Sequence, residues 1–388
     1  MYSPFSNLPT PKPDPLFAIG TEARLAGPDA INGTLGIFMD EDGQSLVFPS
    51  VVQILAHLEK HLQGFNYSYP LLTGLPKFRD AVTKLICQDD REVIASIAST
   101  GGTGALAINL RLMKMLLGEE NNNILLPVPA WGNHAPVCTW AGFNILEAPY
   151  IENGTASVDG VIETVKKQTK PFGILLQVGC HNPTGLDYTS SQWQSLLDAL
   201  QHKECVVLLD FAYQGFKGEP EQDAEPIRLC RERGLTTLVT WSASKNHSIY
   251  GLRTGLAAAF VKDMSEQKTV EGTYSMITRG LHSAAPTFGQ AIVALVQERC
   301  PEVWRSDLRD ARAVLKRKRQ MMLENLPSEF QNSLSGFGMF AMLPLTEHQV
   351  NRLKLEHKTY ILLDGRINIA GIPETRIGEL CEKIAAVL

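Results

Sequence analysis

The apolar positions of the chain fall into short continuous runs separated by longer stretches with helical spacing. The runs at 93–98, 124–128, 173–180, 206–209, 235–240 and 256–261 are bounded by polar or glycine residues and read as buried strands. Between them, Val51, Val52, Ile54, Leu55, Leu58 and Leu62 repeat at the spacing of one helix face over 49–62. Further helices are predicted over 75–86, from a glycine-rich turn through Leu117, over 193–200, over 286–296 (Phe288, Ile292 and Leu295 on one face) and over 301–326. Strands alternating with helices predict an α/β fold whose sheet is mostly parallel and covered on both faces. Shorter strand patterns occupy 35–43, which ends in an acidic turn, 335–342 and 364–371. Pro9, Pro11, Pro13 and Pro15 deny residues 1–16 regular hydrogen bonding, so that segment is either a tail or an extended arm.

Composition narrows the class without deciding it. A chain of 388 residues accommodates two domains or one large one. With 44% hydrophobic and 20% charged residues, a net charge of −5 and a pI near 6.0, nothing points to a nucleic-acid or membrane-surface partner. The basic cluster Lys316-Arg317-Lys318-Arg319 reads as a solvated helix face. No apolar run approaches the ~20 residues of a membrane-spanning helix, and the first residues lack a basic region and an apolar signal core. Seven scattered cysteines without a C-x-x-C pair predict reduced thiols and a cytoplasmic location, with no disulfide framework and no metal site.

The candidate chemistry sits where the predicted strands end. Lys245 lies between two strand runs, with Ser242 and Ser244 before it and Arg253 after it. A lone lysine is most often solvated, but hydroxyl donors and a guanidinium beside it make an anion-binding set. A lysine next to a phosphate clamp is the arrangement a pyridoxal phosphate enzyme needs, because its amine forms a Schiff base with the cofactor aldehyde. Gly101, Gly102, Thr103 and Gly104 join a strand to a helix start, whose unpaired N–H groups favour an anion. The segment is not a Walker loop and holds no clean G-x-G-x-x-G. Asp210 follows the Val206–Leu209 run; it is either a capping or ion-paired carboxylate, or a functional one. Trp131 and His134 follow the strand at 124–128 and read equally as core. Asn182 opens Asn-Pro-Thr-Gly at a strand's carboxyl end, where open α/β sheets bind ligands.

Ser-Ala-Ser-Lys-Asn at 242–246 followed by Gly-Leu-Arg-Thr-Gly at 251–255 resembles the cofactor-attachment signature of class I aminotransferases, the aspartate and aromatic amino acid branch of the fold-type I pyridoxal phosphate enzymes. The resemblance runs from the N-terminal segment to the last fifty residues. It implies a three-layer fold with a large cofactor-binding domain (46–312). A smaller discontinuous α+β domain (17–45 with 313–388) closes over substrate, and an arm (1–16) crosses to a partner subunit. In this reading Lys245 carries pyridoxal 5′-phosphate, and Gly102, Thr103, Ser242, Ser244 and Arg253 hold its phosphate, with Tyr69 reaching in from the neighbouring subunit. Trp131 stacks on the ring, Asp210, braced by His134, faces the ring nitrogen, and Asn182 and Tyr213 share the phenolic oxygen, lowering the Schiff base pKa. Arg366 grips the substrate α-carboxylate, Gly36 lies beside it, and Arg279, four residues before Ser283, reaches the distal carboxylate across a homodimer. The chain departs from the family at Asn32-Gly33-Thr34 and at Ala284.

The resemblance implies transamination, with Lys245 as base and acid, between aspartate or aromatic amino acids and 2-oxoglutarate. Arg279 motivates the dicarboxylate part and the apolar Ile37 and Met39 the aromatic part. Two alternatives stay open: another pyridoxal phosphate chemistry on the same fold, such as a lyase or decarboxylase, or a non-catalytic cofactor-binding regulatory module.

Overall fold

The computed structural model describes residues 4–8, 15–60, 68–87 and 92–388. Pro9, Pro11, Pro13, Asp14, Leu62 and Tyr67 lie outside the described residues. The frame is a seven-stranded sheet: β1 (Val93–Thr100), β2 (Asn123–Val128), β3 (Asn144–Pro149), β4 (Phe172–Gln177), β5 (Cys205–Phe211), β6 (Thr236–Ser242) and β7 (Thr254–Val261). The spatial order is β1-β7-β6-β5-β4-β2-β3, and within this sheet only β7 runs against its neighbours.

Alternation along the strands feeds two apolar layers. Leu175, Leu208 and Leu238, aligned across neighbouring strands, enter one core, while Leu176, Leu209 and Val239 enter the other. Each fully buried leucine contributes about 1.5–3 kcal/mol, so continuous apolar runs are what such doubly covered strands require. The helix Gly101–Leu117 covers one face and the helix Ser190–Gln201 the other. A third core gathers Ile31, Met322, Leu353, Ile367 and Ile384 around two small sheets, in which Ile31–Asn32 pairs with Thr359–Tyr360 and Phe340–Met342 with Arg366–Asn368.

Several expectations change. Pro15 begins the helix Pro15–Leu25, where a proline without an N–H costs nothing, and residues 4–7 form a short 3₁₀ turn; neither is extended. The strand expected at 35–43 is reduced to a single bridge, Met39 to Ser45, around the acidic turn. The expected strands at 335–342 and 364–371 shrink to three residues each. Arg279 is on the last turn of the helix Met264–Leu281, not in a loop, because Gly280 alone does not stop a helix anchored by Tyr274 and Ile277.

The basic cluster is not one solvated face either. Lys316 and Arg317 are exposed, but Lys318 and Arg319 are buried. Consecutive helical residues turn by about 100°, so four in a row cannot share a face. Lys318 donates to Ile372 O at 2.6 Å, and Arg319 donates to the carbonyls of Leu334, Phe337, Gly338 and Phe340.

Candidate active site

Every parallel strand delivers its carboxyl end to one edge of the sheet, and β7 begins there. Thr254 pairs with Thr100, Gly255 with Ser242, and Asp210 with Gln177. This is the edge at which open α/β sheets bind ligands. A cavity of about 180 Å³ opens there, lined by Gly102, Thr103, Trp131, Gln177, Asp210, Tyr213, Ser242, Ser244, Lys245 and Arg253 among others.

One end of the cavity is built from donors. The helix Gly101–Leu117 begins without a side-chain cap and has no acidic residue in its first turn, so its first N–H groups are left to a ligand. Gly101 holds a φ of +72°, and a Cβ there would collide with the Arg253 guanidinium; at Gly102 a Cβ would come within 3.3 Å of Ser242 Cβ. Only glycines let the loop approach so closely. Arg253 itself takes a left-handed backbone (φ 49°), which aims its side chain back at Tyr250 O (3.2 Å) and Ser244 Oγ (3.5 Å). Ser242 Oγ accepts from Ser244 N (3.2 Å). An uncapped helix start, two hydroxyls and a guanidinium suit a phosphate ester.

The other end suits a flat heteroaromatic ring. Asp210, 4% exposed, lies with its Oδ2 2.8 Å from His134 Nε2, and His134 is 2% exposed. Trp131 meets His134 edge-on with ring centroids 5.2 Å apart. Asn182 Nδ2 donates to Tyr213 Oη (3.3 Å), and Arg366 Nη1 donates to Asn182 Oδ1 (3.4 Å), linking the Asn-Pro-Thr-Gly loop to the Arg366–Asn368 strand. Burial pushes the Tyr213 phenol well up, against the lowering effect of the Asn182 amide. Lys245 is half-buried, its ammonium 5.2 Å from the Tyr213 ring centroid. Its pKa is lowered to about 8, with loss of water around it the largest influence; Asp210 works the other way and Arg253 adds to the lowering. Donor set, ring partners and lysine together fit pyridoxal phosphate.

The loop that carries Asn182 is fixed from below. His181 stacks on Tyr150 with centroids 3.8 Å apart, and burial lowers its pKa to about 3, keeping it neutral. Asp187 accepts from the amides of Cys180 (2.9 Å) and His181 (3.0 Å). Gln177, which sequence reasoning passed over, accepts from Asn182 N (3.2 Å) and donates to Cys180 O (3.2 Å). Its only signal was being the one polar side chain inside the apolar run at 173–180. Tyr250, also passed over, accepts from Phe38 N (3.0 Å) and so ties the segment after Gly36 to the lysine loop. Phe340 faces Tyr213 edge-on, lies 5.7 Å from the Arg366 guanidinium and comes within 3.0 Å of where a Gly36 Cβ would be.

Two expected members stand apart. Tyr69 is 97% exposed, and Arg279 is exposed with its guanidinium donating to Ser283 Oγ (2.7 Å). Neither lines the Lys245 cavity.

Comparison with known proteins agrees with this geometry. The family model "Aminotransferase class I and II" matches residues 34–384. The aromatic-amino-acid aminotransferase of Escherichia coli is 30% identical over 374 residues, covering 93% of this chain and 94% of that protein. The aspartate aminotransferase of the same organism is 31% identical over 402 residues, covering 99% of this chain and all of that protein. Among solved structures, an aromatic-amino-acid aminotransferase from Burkholderia pseudomallei covalently bound to pyridoxal phosphate superposes with a TM-score of 0.93 at 29% identity, over the full length of both chains. The fold, the shared carboxyl-end site and these matches agree: the chain belongs to the class I and II aminotransferases.

Proposed function

We propose that this aminotransferase holds pyridoxal 5′-phosphate on Lys245 and exchanges amino groups between aspartate or aromatic amino acids and 2-oxoglutarate. The observation that carries the reading is a lysine of lowered pKa between an uncapped helix start with Arg253 and the buried His134–Asp210 pair. When bound, the cofactor supplies an aldehyde for amines and a ring that accepts electrons from the bond broken at the substrate Cα.

The residues divide the work. Gly102, Thr103, Ser242, Ser244 and Arg253 bind the phosphate, and Trp131 covers the ring. Asp210, oriented by His134, holds a proton on the ring nitrogen. Asn182 and Tyr213 donate toward the phenolic oxygen. Lys245 Nζ, with a pKa near 8, is partly unprotonated around neutrality and takes the proton from substrate Cα, later returning one. Arg366, 7% exposed, orients the α-carboxylate through paired hydrogen bonds. Gly36 leaves room beside it, because a side chain there would press on Phe340.

In this reading two copies complete each site. Tyr69 and Arg279 are exposed and flanked by exposed apolar side chains, Leu71 (63%) and Met276 (61%), as a surface covered by another subunit would be. Arg279 then meets the distal carboxylate of aspartate or 2-oxoglutarate, and Tyr69 the phosphate. The segments 17–45 and 313–388, with most of the third core, act as the closing unit against 46–312. Seven scattered cysteines without a C-x-x-C pair support a reducing, cytoplasmic setting. Among the described residues no helix is long and apolar enough to cross a membrane. Steady-state assay of aspartate, phenylalanine and tyrosine with 2-oxoglutarate tests the reading; turnover of none of the three would overturn it.

A further inference from the structure

A second cavity, of about 460 Å³, opens where the long helix Pro301–Asn325 faces the turn after Phe216 and the loop 335–338. Its charge is one-sided. Lys217, Arg312, Lys316 and Arg319 line it, and no carboxylate does among the described residues. Two of the four cations are compensated from outside, Arg312 by Glu219 (2.5 Å) and Lys217 by Asp187 (3.5 Å). The other two, Lys316 and Arg319, take part in no ion pair among the described residues.

Arg319 is the unusual member. It is 5% exposed, its amino groups meet only backbone carbonyls, and its buried Nε has no hydrogen-bond partner. Burial lowers its pKa to about 10, a measure of how poorly the charge is solvated. The Asp187 carboxylate acts on this charge without forming an ion pair with it, and a buried cation whose contacts are carbonyls alone still raises the positive potential of the space beside it. The rest of the lining is largely apolar. Leu323 and Phe337 contribute side chains, Phe337 being 46% exposed with Lys217 Nζ 5.4 Å from its ring centroid. The volume is in the range of small-molecule sites.

We propose that this cavity is a second binding site for an organic anion with an apolar body, the anionic group held by Lys316 beside the buried charge of Arg319 and the body resting on Leu323 and Phe337. An inorganic anion would leave the apolar lining uncovered, and an uncharged compound would leave the cations unanswered. The assignment does not rest on the identity of the amino acid substrates. Occupancy also bears on the loop 335–340, because Phe337 N donates to Gly185 O (2.7 Å) and the carbonyls of Phe337, Gly338 and Phe340 are the acceptors for Arg319.

The test is calorimetric titration of 4-phenylbutyrate into the holoenzyme with saturating succinate present, so that a small dicarboxylate occupies the grip of Arg366. The expected result is one saturable site, weakened roughly tenfold by Lys316→Glu and by Ala313→Trp, two exposed helix positions at the mouth. Inorganic phosphate should not displace the probe, and bound probe should slow amide exchange across 335–340. Binding abolished by succinate and indifferent to Lys316→Glu would place the probe in the Lys245 cavity and overturn the proposal. Displacement by phosphate at the same concentration as phenylbutyrate would overturn the organic-anion assignment, and no saturable binding would overturn both.

Discussion

His134 Nε2 and Asp210 Oδ2 lie 2.8 Å apart, both residues almost without solvent contact, at the carboxyl end of β5. A buried carboxylate is costly unless paired, and this one has a single imidazole partner on one oxygen among the described residues. In the proposed function its other oxygen serves a proton-bearing ring nitrogen. Asp210→Ala should therefore cut amino transfer by roughly 10²–10⁴, the range for loss of a positioned acid–base group. His134→Leu, which removes a hydrogen bond to a charged group, should cost only about 10–100-fold. Single-turnover rates with aspartate measure both; a His134→Leu loss equal to that of Asp210→Ala would show that the histidine acts directly.

The amine of Lys245 should be reactive at an unusually low pH. Burial disfavours the ammonium more than the amine, so the neutral form appears as pH rises through about 8, well below the ordinary lysine value of 10.5. In cofactor-free protein, trinitrophenylation of Lys245 should rise with that midpoint, followed by peptide mass spectrometry. Asp210→Asn removes the one neighbouring charge that favours the ammonium, so the midpoint should fall further. A midpoint at 10 or above would contradict the environment described for this amine.

Arg366 and Arg279 should separate two kinds of substrate loss. Arg366→Lys keeps the charge but loses the paired geometry, so kcat/KM should fall by roughly 10²-fold for every amino acid alike. Arg279→Ala should fall comparably for aspartate while leaving phenylalanine nearly unchanged. Equal losses for both amino acids in Arg279→Ala would remove its dicarboxylate role.

If two copies share each site, inactive variants should complement. Lys245→Ala lacks the amine, and Arg279→Ala lacks the arginine lent to the partner. Unfolding and refolding the two together should restore aspartate turnover that neither shows alone, because some hybrid dimers hold one site with both residues intact. No recovery, with dimers present by light scattering, would contradict sharing.

Gln177 is a positioning residue for Asn182. Gln177→Ala removes an acceptor for Asn182 N and a donor to Cys180 O, and should lower kcat about tenfold. It should also raise the pH at which the enzyme's visible absorption changes, since Asn182 would donate less well to the phenolic oxygen. A lower kcat with an unmoved spectral titration would reduce Gln177 to a structural part of the loop.

How much of this was legible in the sequence follows from what each residue answers to. The strands of the large sheet were legible because both of their faces are buried, which forces continuous apolar runs such as Val206–Leu209. Lys245, Asp210, Asn182 and Arg253 were legible because polar groups stand where those runs stop. The three-residue strands at Phe340–Met342 and Arg366–Asn368 are set by one another and by the third core, so the local pattern overstated them. Gln177 was silent because an uncharged amide at a strand's end implies nothing until the loop folds over it. Lys318 and Arg319 were misread because charge was weighed without the helical turn, and the carbonyls that hold them come from segments up to 54 residues away.

The central claim is that the amine at position 245 carries the cofactor. Its most direct test is borohydride reduction of the holoenzyme, followed by proteolysis and mass spectrometry of the pyridoxyl-bearing peptide. The mass addition is expected on Lys245 alone and should be absent from Lys245→Ala. The label on another lysine, or no label on protein saturated with pyridoxal phosphate, would contradict it.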